Sequence, residues 1–134
     1  MITAVDTNIL VDILEPDPHH GPTSRQSLKR CLREGSGVVC EVVWAEVATV
    51  YGHAHEELVE ALTHIGIDYS AISLPAALEA AGCWYVYWQK GGGRERIDAD
   101  FLIGGHALVQ CDQLLTRDRG FYRRHFKSLQ VVSS

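Results

Sequence analysis

Apolar residues along the chain alternate between short runs and longer stretches with helical spacing. Met1 to Val5 is a brief apolar run that stops at Asp6, after which Ile9, Leu10, Ile13 and Leu14 recur along one helix face. Pro16 and Pro18 close that helix. A second helix is expected over Thr23 to Arg33, with Leu28, Cys31 and Leu32 inward and basic residues outward, ended by a Gly35-Ser36-Gly37 turn. Val38 to Cys40 reads as a strand, Glu41 to Tyr51 as a helix that is apolar nearly all round, and Glu56 to Ile65 as a helix stopped at Gly66. Ile67 to Ile72 suits either a third strand or an extended connection. Ser73 to Gln89 forms the longest predicted helix, with Ser73 as cap, Pro75 in the first turn and aromatics suited to core or interface. A basic loop from Lys90 to Arg94 leads to a helix over Asp98 to Val109, whose Gly104, Gly105 and Ala107 allow close packing. A strand (Gln113 to Thr116), a short helix (Arg119 to His125) and a last strand (Leu129 to Val132) follow. Strands alternating with helices imply an α/β chain with a mostly parallel sheet, in which ligands gather at the carboxyl ends of strands.

Composition narrows this picture. With 134 residues, 46% of them hydrophobic, the chain suits a single domain over 1–134. No apolar run approaches the roughly 20 residues that span a bilayer, and no leader-like segment opens the chain, so a cytoplasmic location is expected. Cys31, Cys40, Cys83 and Cys111 are scattered, which argues for reduced thiols rather than a zinc or redox motif. A formal charge of −5 sits badly with nucleic-acid binding, unless local clusters supply the contacts. Two exist: Lys90, Arg94 and Arg96, then Arg117, Arg119, Arg123 and Arg124.

The acids carry the chemistry. Asp6 follows the first strand and Asp118 follows the strand Leu114-Leu115-Thr116, so both project from one carboxyl edge; each would also serve as a helix cap. Glu46 lies in the apolar stretch Val42 to Ala48, where a buried carboxylate needs a cation or a salt bridge. At the head of the Asp98 helix, Asp98 suits the N-cap and Asp100 the first turn facing the site. An oxygen-only set without matching His or Cys selects Mg²⁺ or Mn²⁺, and cations so held support phosphodiester hydrolysis.

The segments Val5 to Asp12, Trp44 to Val47, Ala99 to Ala107 and Leu115 to Phe121 together resemble the PIN domain, in particular VapC-type ribonuclease toxins. The resemblance implies a three-layer α/β/α fold, a Mg²⁺- or Mn²⁺-dependent endoribonuclease, an antitoxin partner that sets a basic side chain in the acidic site, and often a homodimer. Carried over residue by residue, it makes Asp6, Glu46, Asp100 and Asp118 the catalytic metal-site positions. Thr116 becomes a nearby hydroxyl and Asn8 a supporting residue. Asp98 has no family counterpart and stays a supporting acid. Arg94, Arg96, Arg117 and Arg119 are the RNA-binding candidates nearest the acids in sequence.

Rivals fare less well. The pairs His19-His20 and His53-x-His55 lack helical metal spacing and, with His64 and His125, read as surface or loop residues; His106 reads as a packing residue. An aspartyl-phosphate phosphatase would need an acid where Asn8 stands, and a phospho-receiver an acidic pair after the first strand. A catalytically inert PIN-like module that binds RNA or protein remains the alternative.

Overall fold

The computed structural model describes residues 1–15, 17–52, 54–93 and 98–133. In chain order these form β1 (Ile2–Val5), α1 (Thr7–Leu14), α2 (Gly21–Glu34), β2 (Ser36–Val39), α3 (Glu41–Tyr51), α4 (His55–Ile65), β3 (Ile67–Tyr69), α5 (Leu74–Gln89), α6 (Asp98–Gln110), β4 (Gln113–Thr116), α7 (Arg119–His125) and β5 (Val131–Ser133). The strands make one parallel sheet in the order β3-β2-β1-β4-β5, flanked by helices in a three-layer α/β/α arrangement. Succession runs outward from β1 through β2 to β3 and then returns to the other side at β4. The reversal of strand order therefore falls between β1 and β4, where a crevice opens at the carboxyl edge.

Most expected elements are present, several with shifted ends, and two of the shifts have a physical reason in the packing. The glycine turn shrinks to Gly35, because Gly37 pairs with Thr3 and Ile67 inside β2. A Cβ on Gly37 would stand 2.8 Å from the Leu32 side chain, so its missing side chain lets α2 lie over the strand. The stretch after Gly66 is a true strand, but a short one that ends at Tyr69.

Two observations fix the far side of the crevice. Gly105 of α6 lies so close to α5 that a Cβ would meet the Ala76 carbonyl oxygen at 2.6 Å. Phe101, fully buried one residue beyond Asp100, stacks on Trp84 of α5 at 5.9 Å between ring centroids and meets Phe121 of α7 edge-on at 5.1 Å. The head of α6 is thus pinned by aromatic packing to both neighbouring helices. His125, expected at the surface, is half-buried in the same cluster, 4.7 Å from the Phe121 ring. His106 packs as expected, buried and hydrogen-bonded to Ser70 at 3.0 Å. Among the described residues, no helix is long and apolar enough to cross a membrane.

Candidate active site

Asp6 sits where β1 ends. Its amide donates to the Leu115 carbonyl at 3.0 Å, which extends the β1–β4 ladder by one step, and its extended backbone then turns into α1. The side chain caps that helix, with Oδ1 accepting from the Thr7 amide at 2.8 Å. Capping does not exhaust it. Oδ2 accepts from the Thr116 hydroxyl at 2.7 Å and from Asn8 Nδ2 at 3.3 Å. Thr116 Oγ1 in turn accepts the Asp118 amide at 2.9 Å, and Asn8 Oδ1 accepts the Arg117 amide at 3.2 Å. Thr116 and Asn8 therefore tie Asp6 to the turn that carries Asp118.

A second brace lies beneath that turn. Arg117 forms a two-pronged pair with Asp12 of α1, Nε to Oδ2 at 2.7 Å and Nη2 to Oδ1 at 3.0 Å, and the Ser24 hydroxyl adds a 2.7 Å bond to Oδ2. Asp12 is 3% exposed. Arg117, expected to reach RNA, is thus committed to an internal partner. Arg119 is exposed at the start of α7, and Arg94 and Arg96 lie outside the described residues.

Glu46 departs from expectation in its setting. Only Val43 and Val47 of α3 are fully buried, and Glu46 is half-buried at the rim of the crevice. Its carboxylate is held by the Thr7 hydroxyl at 2.6 Å rather than by a buried arginine. Thr7 escaped the sequence reading because its partner lies 39 residues away. Asp98 is the first described residue of α6; it is exposed and lines a cavity of about 720 Å³ with Thr7, Glu46 and Thr49. Asp118 does occupy the N-cap of α7 but makes no side-chain cap bond, and its exposed carboxylate has no hydrogen-bond partner among the described residues.

The electrostatics bring the four principal acids together on Asp100. Burial first, and then the charges of Asp6, Glu46 and Asp118, push its carboxyl up to about 7. Burial likewise raises Asp6, against the downward pull of its bonds from Thr116 and Thr7, while Glu46 adds a smaller push upward. The buried Tyr122 hydroxyl, 3.5 Å from Asp100 Oδ1, is raised by burial and by Asp6, Asp100 and Asp118. Among the described residues the one ion pair is Arg117 with Asp12, so no described cation offsets the cluster. By charge and donor type, this all-oxygen set fits a hard divalent cation. By distance it is open: among the described residues no three His, Cys, Asp or Glu side chains stand close enough to hold an ion as arranged.

A parallel sheet with carboxylates gathered across its central reversal, beside a cavity, defines an α/β/α protein with an acidic site. The PIN domain model matches residues 3–127, and the chain belongs to the PIN domain family, whose members are generally nucleases. No curated relative matches the chain. Its fold is similar to that in the structure of VapBC2 from Rickettsia felis bound to a promoter DNA fragment, with 19% identity, TM-score 0.77 and coverage of 100% of this chain and 99% of that one. VapBC-1 from nontypeable Haemophilus influenzae gives 16%, 0.72, 99% and 98%, and FitAcB from Neisseria gonorrhoeae 21%, 0.66, 98% and 96%.

Proposed function

We propose that this chain is a single-domain, VapC-type toxin that cleaves RNA with Mg²⁺ or Mn²⁺ and is restrained in the cytoplasm by a cognate antitoxin. The observation that carries the reading is the gathering of Asp100 with Asp6, Glu46 and Asp118, with no described cation in the cluster. Asp6, Glu46, Asp100 and Asp118 would hold the cation, which when bound polarises a phosphoryl oxygen and lowers the pKa of an attacking water. Thr116 and Asn8 orient Asp6, and Thr7 holds one oxygen of Glu46. Asp98 lines the cavity beside Glu46 and Thr7 as a supporting acid.

VapBC and FitAcB structures among the fold neighbours support an antitoxin partner, as does the net charge of −5, which suits a basic inhibitory side chain. Leu74, Leu78, Tyr85 and Trp88 form an exposed apolar stripe along α5. Such a stripe supports a homodimer, because an isologous contact covers it with its own copy.

One observation favours an inert binding module instead: no three acids of the described set stand at liganding distance. Cleavage of varied RNAs with Mg²⁺ or Mn²⁺ decides between the readings. Wild type is expected to cut and Asp6→Asn not to, while Thr116→Val, which removes only an orienting hydroxyl, loses about 10- to 100-fold. Undiminished cleavage by Asp6→Asn overturns the site, and no cleavage by wild type favours the binding module.

A further inference from the structure

Between the second half of α5 and the end of α7 runs a groove of about 670 Å³. Its lining combines the apolar and aromatic side chains of Cys83, Val86 and Tyr87 with the cations Lys90, Arg124 and Lys127. All three cations are exposed, and none is ion-paired among the described residues. In a chain of net charge −5, such a concentration of positive charge in a concave surface is a local reversal of the overall field. Glu79, the one acid in the lining, sits farthest back along α5.

The groove begins close to the acidic site. Tyr87 and His125, which both line it, lie 5.5 and 5.4 Å from the ring of Phe101, and Phe101 is the residue after Asp100. His125 is kept below its ordinary pKa by burial and by the neighbouring Arg124 and Lys90, so the groove's fixed charge near neutral pH comes from the lysines and Arg124. Apolar and aromatic groups set beside cations in one groove are the combination that holds single-stranded nucleic acid, with bases against the former and phosphates on the latter.

We propose that this groove binds the RNA strand to one side of the scissile phosphate. The inference rests on the ribonuclease reading. A second row of cations, Arg25, Lys29 and Arg33 on α2, provides an internal comparison, because those residues line a surface with no aromatic in its lining.

The test measures binding of a labelled single-stranded oligoribonucleotide to the full chain in EDTA, across a salt series, with cleavage assayed separately in Mg²⁺ or Mn²⁺. Lys90→Glu/Arg124→Glu/Lys127→Glu is expected to weaken binding about tenfold or more and to lower the salt slope by about 2, at about 0.7 per phosphate contact on a single strand. The neutral Gln triple gives the same direction with a smaller loss, and thermal melts check that both variants fold. Reversal of Arg25, Lys29 and Arg33 leaves binding and slope unchanged. In cleavage, KM rises while kcat holds. If wild type binds and cleaves RNA and the groove variants match it, the groove assignment is overturned and the ribonuclease reading stands. If the groove variants keep RNA binding but lose an acidic protein partner, the occupant is that partner and the proposal is again overturned. A wild type that neither binds nor cleaves RNA overturns both.

Discussion

Asp100→Asn is expected to make the metal-free protein more stable while abolishing its activity. The two side chains are nearly the same size, so the change removes charge and leaves packing intact. Asp100 is held at about 7 in the fold against an ordinary 3.8, mainly by burial and then by Asp6, Glu46 and Asp118. A carboxyl whose folded pKa is raised binds more protons folded than unfolded, so stability falls as pH climbs through that window. The penalty is absent below about 4, grows between about 4 and 7, and is complete above. A shift of about 3 units corresponds to at most about 4 kcal/mol, and solvent screening of a partly exposed group reduces this to about 2–3 kcal/mol. Losing an anion from the first turn of α6 takes back about 0.3–1 kcal/mol. The net gain for Asp100→Asn is therefore about 2 kcal/mol at pH 8 and near zero at pH 4. Urea unfolding in EDTA at the two pH values measures it directly. Saturating Mn²⁺ should then raise the stability of wild type and leave the variant where it was. If Asp100→Asn in EDTA is no more stable than wild type at pH 8, the carboxylate cluster is not the source of strain inferred from its surroundings.

Two further outcomes follow from the same geometry. Asp12→Ala removes the partner of Arg117 and of Ser24; breaking a buried pair costs about 3–5 kcal/mol, here lowered to about 2–3 kcal/mol because the Arg117 side chain, 32% exposed, can turn to water. Chemical denaturation checks this, and a loss below about 0.5 kcal/mol would show that the pair does not brace the Asp118 turn. Leu78→Glu, at a position 63% exposed on the α5 stripe, is expected to leave the circular dichroism spectrum unchanged and to raise the dimer Kd about tenfold or more, as sedimentation would show; an unchanged assembly moves the interface elsewhere.

Much of this site was legible before any coordinates, and the reason is positional. Asp6 and Asp118 stand where apolar runs stop, and a stop after a parallel strand has one meaning in space. Asp100 was legible because a helix head leaves few directions for its first turn. What escaped were pairings between distant segments. Thr7 and Glu46 are 39 residues apart, and nothing local to either announces the other. Arg117 misled for a related reason: among exposed arginines it looks like one more, and only the fold sets it against Asp12. That acid carried a faint signal, since it lies three residues after the buried Ile9, on the face of α1 that packs inward. The environment of Glu46 was misjudged because an apolar sequence does not say which part of a helix surface is covered; Ala45 and Val50 of α3 remain exposed.

The hydrogen bond from Thr116 to Asp6 joins residues 110 positions apart. The neighbour that completes the centre of the sheet beside β1 is β4, so β1 is made well before the strand it pairs with there. Asp118 and the brace from Arg117 arrive with that same late segment. Up to Gln113 the chain holds Asp6, Glu46 and Asp100 together with α5 and α6, and it lacks Asp118 and the strand to which Asp6 is tied. The acidic cluster is therefore complete only once β4 and the turn after it are docked beside β1.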